Sequence, residues 1–188
     1  MVICQTGSPA YGAEALRSRS RKKSHWLAAL TLMLAIAFMC GSYVETRYFT
    51  LMYVSTNGME NTLQAGDIVG CLRSAQVTRG DIVTFQRGDA LMLKRVVAVG
   101  GDVVDITQEG KLTVNGAETS ETYLTTDYTD GGDTAYPLTV PEGEVFVVGD
   151  NRAVSVDSRN AAVGTVAVQE ILTVAKIRIW PIFRFSRL

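Results

Sequence analysis

From Trp26 to Val44 the chain runs 19 residues without a charged side chain. No other stretch restricts the fold so tightly. At 1.5 Å rise per residue a helix of that length is about 28 Å long, close to the roughly 30 Å of hydrocarbon in a bilayer. Trp26 and Tyr43 stand at its two ends, where amphipathic rings favour the membrane interface. A cleaved secretory signal would have an apolar core of about 7–15 residues. This run is longer, so the sequence predicts a retained anchor. Arg17, Arg19, Arg21, Lys22 and Lys23 precede it, and such a basic flank stays in the cytoplasm, leaving everything beyond Val44 outside. The expected organisation is a basic cytoplasmic tail over 1–25, with 1–16 disordered, an anchor over 26–44 and an extracytoplasmic domain over 45–188.

The rest of the composition excludes more than it suggests. The formal net charge of 188 residues is -1, which offers no overall basic footprint for nucleic acid. Cys4, Cys40 and Cys71 are too few and too scattered for a disulfide framework or a zinc site. The one histidine, His25, lies beside the basic run, so neither a histidine triad nor a histidine metal cluster is expected in the outer domain. No metal and no organic cofactor is implied. Residues 117–135 are acidic and threonine-rich, holding Glu118, Glu121, Asp127, Asp130 and Asp133 without any Lys or Arg. They are expected to form a solvated surface loop.

Beyond Tyr48 the pattern changes to short alternating or apolar runs bounded by turn signals. Strands are predicted over 49–54, 68–72, 81–86, 91–99, 103–107, 112–114, 138–140, 144–148 and 171–180. Gln108-Glu109-Gly110 and Asn115-Gly116 read as hairpin loops. The fold class is therefore mostly β: one N-terminal transmembrane helix, then an antiparallel sheet or barrel-type domain. The C-terminal run from Lys176 to Leu188 mixes cations with aromatics. That suits a surface returning to an anionic membrane, and equally a last strand with a solvated face.

Within Leu91–Val99, strand alternation places Met92, Lys94, Val96 and Ala98 on one face. A lysine among apolar neighbours either snorkels its head to solvent or does chemistry. Burial lowers an amine's pKa from about 10.4. A neutral amine can then take a proton from a hydroxyl, so a Ser–Lys pair does the work of a serine triad without histidine.

Four short stretches now line up behind the anchor: Gly58-Met-Glu-Asn-Thr-Leu63 with Gly66-Asp67 after it, Arg79-Gly-Asp-Ile-Val-Thr-Phe85, Lys94-Arg-Val-Val-Ala-Val-Gly-Gly-Asp102, and Gly149-Asp-Asn-Arg-Ala-Val-Ser-Val-Asp-Ser-Arg159. In content, order and spacing they resemble the motifs of bacterial type I signal peptidases, the Ser–Lys leader peptidases. The resemblance implies Lys94 as general base and Ser155 as the hydroxyl that orients its amine. It implies Asp157 and Arg159 as a supporting pair, with Asp150 and Asn151 in the turn that holds the site. Thr56 and the backbone N–H of residue 58 correspond to the oxyanion hole, and Met59 lies near the small-side-chain substrate pocket.

One position departs from the motif. Where the family has its nucleophilic serine this chain has Gly58, and Asn61 stands where the family has proline. Ser55 lies three residues too early, and Thr56 already matches the oxyanion role. Shifting the register to promote either would lose the match of Met59, Thr62 and Leu63. The resemblance therefore implies a protein of the bacterial plasma membrane whose partners are secretory preproteins, through their signal-peptide region, and membrane lipid. Cleavage of signal peptides is expected to be impaired or lost. The rival reading is an inactive pseudo-peptidase that escorts secreted surface proteins. A soluble Ser–Lys self-cleaving regulator is disfavoured by the anchor.

Overall fold

The structure is a computed structural model describing residues 10–73, 76–126 and 128–188, with side chains described outside 10–24 and 44–46. Cys4 and the first nine residues of the expected tail, the side chains of Arg17 to Lys23, and Asp127 of the acidic stretch lie outside this description. The chain forms two compact units, Met1–Thr46 and Arg47–Leu188.

Helix α1 spans Ala10–Tyr48, 39 residues. Its segment His25–Tyr43, 19 residues of mean hydropathy 1.8 with no share buried, is long and apolar enough to cross a membrane. The helix starts well inside the stretch 1–16 that was expected to be disordered. Ala10, Ala13, Glu14, Ala15, Leu16 and Arg17 are good helix formers. Adding turns to a helix that already exists avoids the nucleation cost that a free segment of this length would face.

Among its described residues the second unit has twelve antiparallel strands: β1 Phe49–Tyr53, β2 Ile68–Leu72, β3 Ile82–Arg87, β4 Ala90–Val99, β5 Val103–Ile106, β6 Leu112–Val114, β7 Ala117–Glu118, β8 Leu138–Thr139, β9 Glu144–Val148, β10 Val166–Ala167, β11 Ile171–Trp180 and β12 Ser186–Arg187. One sheet runs β1-β2-β11-β3-β4-β9-β10, with β12 paired to β11, and the other runs β7-β6-β5-β8. The mostly β, antiparallel class expected from the sequence is what the chain adopts. The nine predicted strands are present within a residue or so. The two-residue strands β7, β10 and β12 were not foreseen, being too short to show any periodicity. Asn115 (φ 56°) and Gly116 (φ 78°) turn β6 into β7, the two left-handed residues that a tight primed hairpin turn requires.

Strand β4 departs from simple alternation. A register irregularity against β9 falls between Val96 and Ala98. Val96 packs with Val83, Phe85 and Val147, whereas Val97 and Ala98 both pack into a second cluster with Val104, Leu112 and Phe146. Ala98 is thus not on the face of Met92 and Val96. A bulge of this kind re-aims the residues beyond it, and it lies just past Lys94.

A third cluster fixes the site. Val54, Met59 and Leu63 pack with Val69, Cys71, Ile82 and Ala175. Met59 is 1% exposed and Leu63 0%, and burial of such a side chain stabilises by about 1.5–3 kcal/mol. The segment between these anchors must therefore sit on the sheet in one position.

Candidate functional site

The loop after β1 is a tight, internally bonded turn. Val54 N–H donates to the Asp67 carbonyl at 2.9 Å, Glu60 N–H to Asn57 at 3.1 Å, and Leu63 N–H to Met59 at 2.7 Å. Gly58 sits on this turn and is buried. Its φ is not in the left-handed range that only glycine adopts with ease, so the backbone alone does not demand glycine there. A Cβ placed on it would lie 3.2 Å from Lys94 Nζ, 3.9 Å from Ser155 Oγ and 4.0 Å from Thr56 Oγ1. Three polar groups of the sequence reading thus surround one point, and that point belongs to residue 58.

Lys94 reaches it from β4. It is 7% exposed, and its one hydrogen bond among the described residues goes from Nζ to Ser155 Oγ at 2.8 Å. No carboxylate among the described residues comes within ion-pair distance of it. Burial pushes the amine's pKa down from its usual value. Asp157 partly offsets this, Arg159 adds to it and Asp150 opposes it. The arrangement favours the free amine more than water would, with Nζ 3.2 Å from the Cβ position of residue 58.

Ser155 is delivered by the turn after β9. Gly149 N–H donates to Asp157 Oδ2 at 2.9 Å, Asn151 N–H to the Gly58 carbonyl at 3.1 Å, and Ser155 N–H to the Asn151 carbonyl at 3.1 Å. Asn151 Nδ2 also reaches Glu60 at 3.1 Å. The two chains pass so closely that a Cβ on Gly149 would come within 2.1 Å of Ser155 Oγ and 2.5 Å of the Gly58 carbonyl. Position 149 therefore admits only glycine.

Beneath this turn, Arg159 donates through Nε and Nη2 to the two oxygens of Asp157 at 2.8 and 2.9 Å. It also donates to the carbonyls of Ser155 and Arg152, at 3.1 and 3.0 Å. Burial alone would raise the Asp157 pKa, but the hydrogen bonds and charge of Arg159 win and hold it below the usual carboxylate value. A bidentate, charge-assisted pair of this kind is both strong and directional.

A second buried pair lies on the other side of β4. Arg95 donates to Asp150 at 2.8 and 2.7 Å and to the Gly80 carbonyl at 3.0 Å. Thr62 Oγ1 donates to Asp150 at 2.5 Å. The Tyr123 ring lies 4.0 Å from the Arg95 guanidinium carbon, an attractive cation–π distance. Arg152 is held by Glu121, by Thr129 and by the Gly149 carbonyl. Glu121 and Tyr123 belong to the acidic stretch 117–135. Glu118, Thr122 and Tyr128 of that stretch are exposed, but the Glu121 side chain is only 6% exposed. Asn61, at φ 82°, donates through Nδ2 to the Leu124 carbonyl at 2.7 Å. Proline, locked near −65°, cannot adopt that angle. The acidic stretch is thus bound to the Gly58 turn and to the lysine strand. Arg95, Thr62, Glu121, Tyr123 and Arg152 had no assigned part in the sequence reading. Only their places inside the motifs, for Arg95, Thr62 and Arg152, offered a signal.

In front of Lys94 is a cleft of about 470 Å³ lined by Thr56, Gly58, Leu91, Leu93, Lys94, Val154 and Val156 among others. Its walls are largely aliphatic, and Leu91, Val154 and Val156 are more than half exposed. Among the described residues no cluster of His, Cys, Asp or Glu could hold a metal.

The sequence matches the family described as signal peptidase, peptidase S26, over residues 23–180. The chain belongs to this family. It is 30% identical to signal peptidase I of Streptococcus pneumoniae serotype 4 over 178 residues, covering 74% of this chain and 86% of that one. It is 32% identical to the probable signal peptidase I-2 of Synechocystis over 193 residues, covering 92% and 84%. A crystal structure of a signal peptidase I from Enterococcus faecalis V583 is 31% identical and covers 53% of this chain and 97% of that one, with a TM-score of 0.46. The signal peptidase match contains the whole constellation around Gly58, from Thr56 to Arg159.

Proposed function

We propose that this chain is a membrane-anchored signal peptidase family protein whose cleft binds the signal-peptide end of secretory preproteins, and that Gly58 stands where the nucleophilic serine would be. The reading rests on one observation. The buried amine of Lys94 and the hydroxyls of Ser155 and Thr56 converge on the Cβ position of residue 58, a residue that carries no oxygen. In this arrangement Lys94 serves as base and Ser155 as its positioning residue. Thr56 and the N–H of Gly58 form the oxyanion pocket, a feature that stabilises the developing charge by about 3–4 kcal/mol per donor. Asp150, Asn151, Asp157 and Arg159 keep the turn in place, and Met59 anchors the loop beside the pocket. Removing the nucleophile of a serine protease costs about a millionfold in kcat, so cleavage by the chain as written is impaired or lost.

The same reading places helix α1 in the bacterial plasma membrane, with residues 1–25 cytoplasmic and the β domain outside. There the signal helix of a preprotein ends at the same surface, and confinement raises the effective concentration of substrate. An apolar rim supports a membrane-facing domain: Trp180, Ile182, Phe183 and Phe185 are 51%, 73%, 88% and 63% exposed. Tyr53, Ile68 and Trp180 align across β1, β2 and β11 at that end of the sheet.

The test is a paired assay in detergent with a purified preprotein. The unaltered chain should bind without cutting at an appreciable rate, and Gly58→Ser should cut. Cleavage by the unaltered chain at a rate equal to Gly58→Ser would show that residue 58 is not the nucleophile position. A Gly58→Ser protein that binds preprotein yet stays inert would favour an escort or assembly factor for secreted proteins.

A further inference from the structure

Glycine at position 58 changes what faces Lys94 as well as removing an oxygen. With a serine there, the amine would meet a hydroxyl. With glycine, the Cβ position 3.2 Å from Nζ carries no atom, and both Gly58 and Lys94 line the cleft. Lys94 is 7% exposed, and among the described residues its amine bonds only to Ser155 and has no paired carboxylate. The cleft before it, about 470 Å³, has aliphatic walls from Leu91, Leu93, Val154 and Val156, with Thr56 and Asn57 as its other polar side chains. A buried lysine whose pKa is lowered by desolvation spends a larger fraction of its time as the free amine, which is a nucleophile toward carbonyl carbon.

We propose that Lys94 is a carbonyl-reactive amine which forms a reversible Schiff base with an apolar aldehyde seated in the cleft. The nitrogen lone pair of Lys94 adds to the aldehyde carbon, and the carbonyl π electrons move to oxygen. One amine proton moves to that oxygen to give a carbinolamine. Its hydroxyl then leaves with the second nitrogen-bound proton as water, and the carbon–nitrogen double bond forms. Nothing is oxidised or reduced, and water reverses each step. The Thr56 hydroxyl lies 4.0 Å from the Cβ position of residue 58 and Thr56 lines the cleft, which makes it the donor for the transient oxyanion. Ser155 accepts the Lys94 hydrogen bond and orients the lone pair. Burial, with the nearby Arg159 charge and against Asp157 and Asp150, lowers the amine's pKa and so enlarges its nucleophilic fraction near neutrality.

The experiment is reductive trapping on the full chain in detergent micelles. Hexanal and sodium cyanoborohydride are added at neutral pH, and alkylation at each lysine is followed by peptide mapping. Lys111, exposed on the surface, is the internal reference. Lys94 should be alkylated more than about fivefold faster than Lys111, as an activated amine requires. The two rates should converge in guanidinium. With glyoxylate, a charged aldehyde, the ratio of Lys94 to Lys111 labelling should fall toward one. Gly58→Ser should slow labelling of Lys94 without altering Lys111. Labelling of Lys94 no faster than Lys111 in protein shown to be folded by near-ultraviolet circular dichroism would overturn the proposal. So would equal labelling of Lys94 in Gly58→Ser. Both outcomes are independent of the cleavage assay: a Gly58→Ser protein that cuts while Lys94 resists aldehyde sinks only this inference.

Discussion

Lys94 and Arg95 are consecutive residues of β4, both buried and both cationic by nature, yet they are treated in opposite ways. Arg95 has a bidentate carboxylate, a backbone carbonyl and an aromatic ring. Burial works against its charge, but the hydrogen bonds and charge of Asp150 raise its pKa overall. Lys94 has one hydroxyl and no paired carboxylate among the described residues, and its pKa falls. A buried charge supplied with partners is held in place as structure, whereas a buried amine denied them is poised to give or take a proton. Strand geometry makes the contrast possible, since successive side chains leave β4 on opposite faces.

The largest expected effect breaks the Lys94 side. On the proposed reading Gly58→Ser supplies the missing hydroxyl, and preprotein cleavage should then rise by up to about a millionfold, the usual worth of a serine nucleophile. Gly58→Ala is the matched control. It fills the same 3.2 Å approach to Nζ without an oxygen, and should show no gain on the same gel assay.

Next is the Arg95 side. Asp150 is 0% exposed, so Asp150→Ala leaves the Arg95 guanidinium buried and unpaired. The loss should be about 3–5 kcal/mol, read from the urea midpoint. Replacing both partners, Arg95→Met with Asp150→Leu, should recover most of it, because the desolvation cost disappears with the charges. A double variant as unstable as Asp150→Ala would mean that Thr62 and Tyr123, and not the ion pair, carry this face.

This asymmetry was only half legible in the chain. The strands were readable because β-branched runs between Gly-Asp and Asn-Gly turns carry a local signal. Lys94, Ser155 and Gly58 could be singled out because each stands inside a compact motif. The tie from Arg95 to Tyr123 and from Asn61 to Leu124 crosses 28 and 63 positions, through an acidic, aperiodic stretch that looks solvated. No periodicity reports contacts at that range. The bulge between Val96 and Ala98 was hidden for a similar reason: every residue from Val96 to Val99 is apolar, so the sequence pattern is the same whichever face each side chain takes.

A smaller effect sharpens the contrast through pH. The Lys94 pKa is lower folded than unfolded, so between those two values the unfolded chain binds more protons. Stability should therefore rise with pH across that window, which ends near 10.4, the value of a free lysine. Lys94→Met removes the term. It should flatten this rise in urea titrations and raise the urea midpoint at neutral pH, because the desolvation cost of the amine is removed. Asp157 behaves as a separate acid limb. Its depressed pKa gives stability that is present above about pH 4 and is lost as pH falls through the folded value. Because the Asp157 charge acts on Lys94, the reverse also holds, and Lys94→Met should shift that limb slightly toward higher pH while Arg159 keeps most of it.

The smallest effect tests how the acidic stretch is held to the Gly58 turn. Asn61→Gly keeps the left-handed angle of 82° but removes the donor to Leu124, and should cost about 0.5–1.5 kcal/mol, one hydrogen bond. Asn61→Pro should cost more, because its ring fixes φ near −65° and the turn must rearrange. If the bond to Leu124 matters only for stability, Asn61→Gly in the Gly58→Ser background should lower the urea midpoint and leave cleavage unchanged. If the acidic stretch also positions the lysine strand through Tyr123 and Arg95, kcat should fall with it while KM holds. The two outcomes decide whether the faces of β4 are independent or whether the arginine face sets the aim of the lysine.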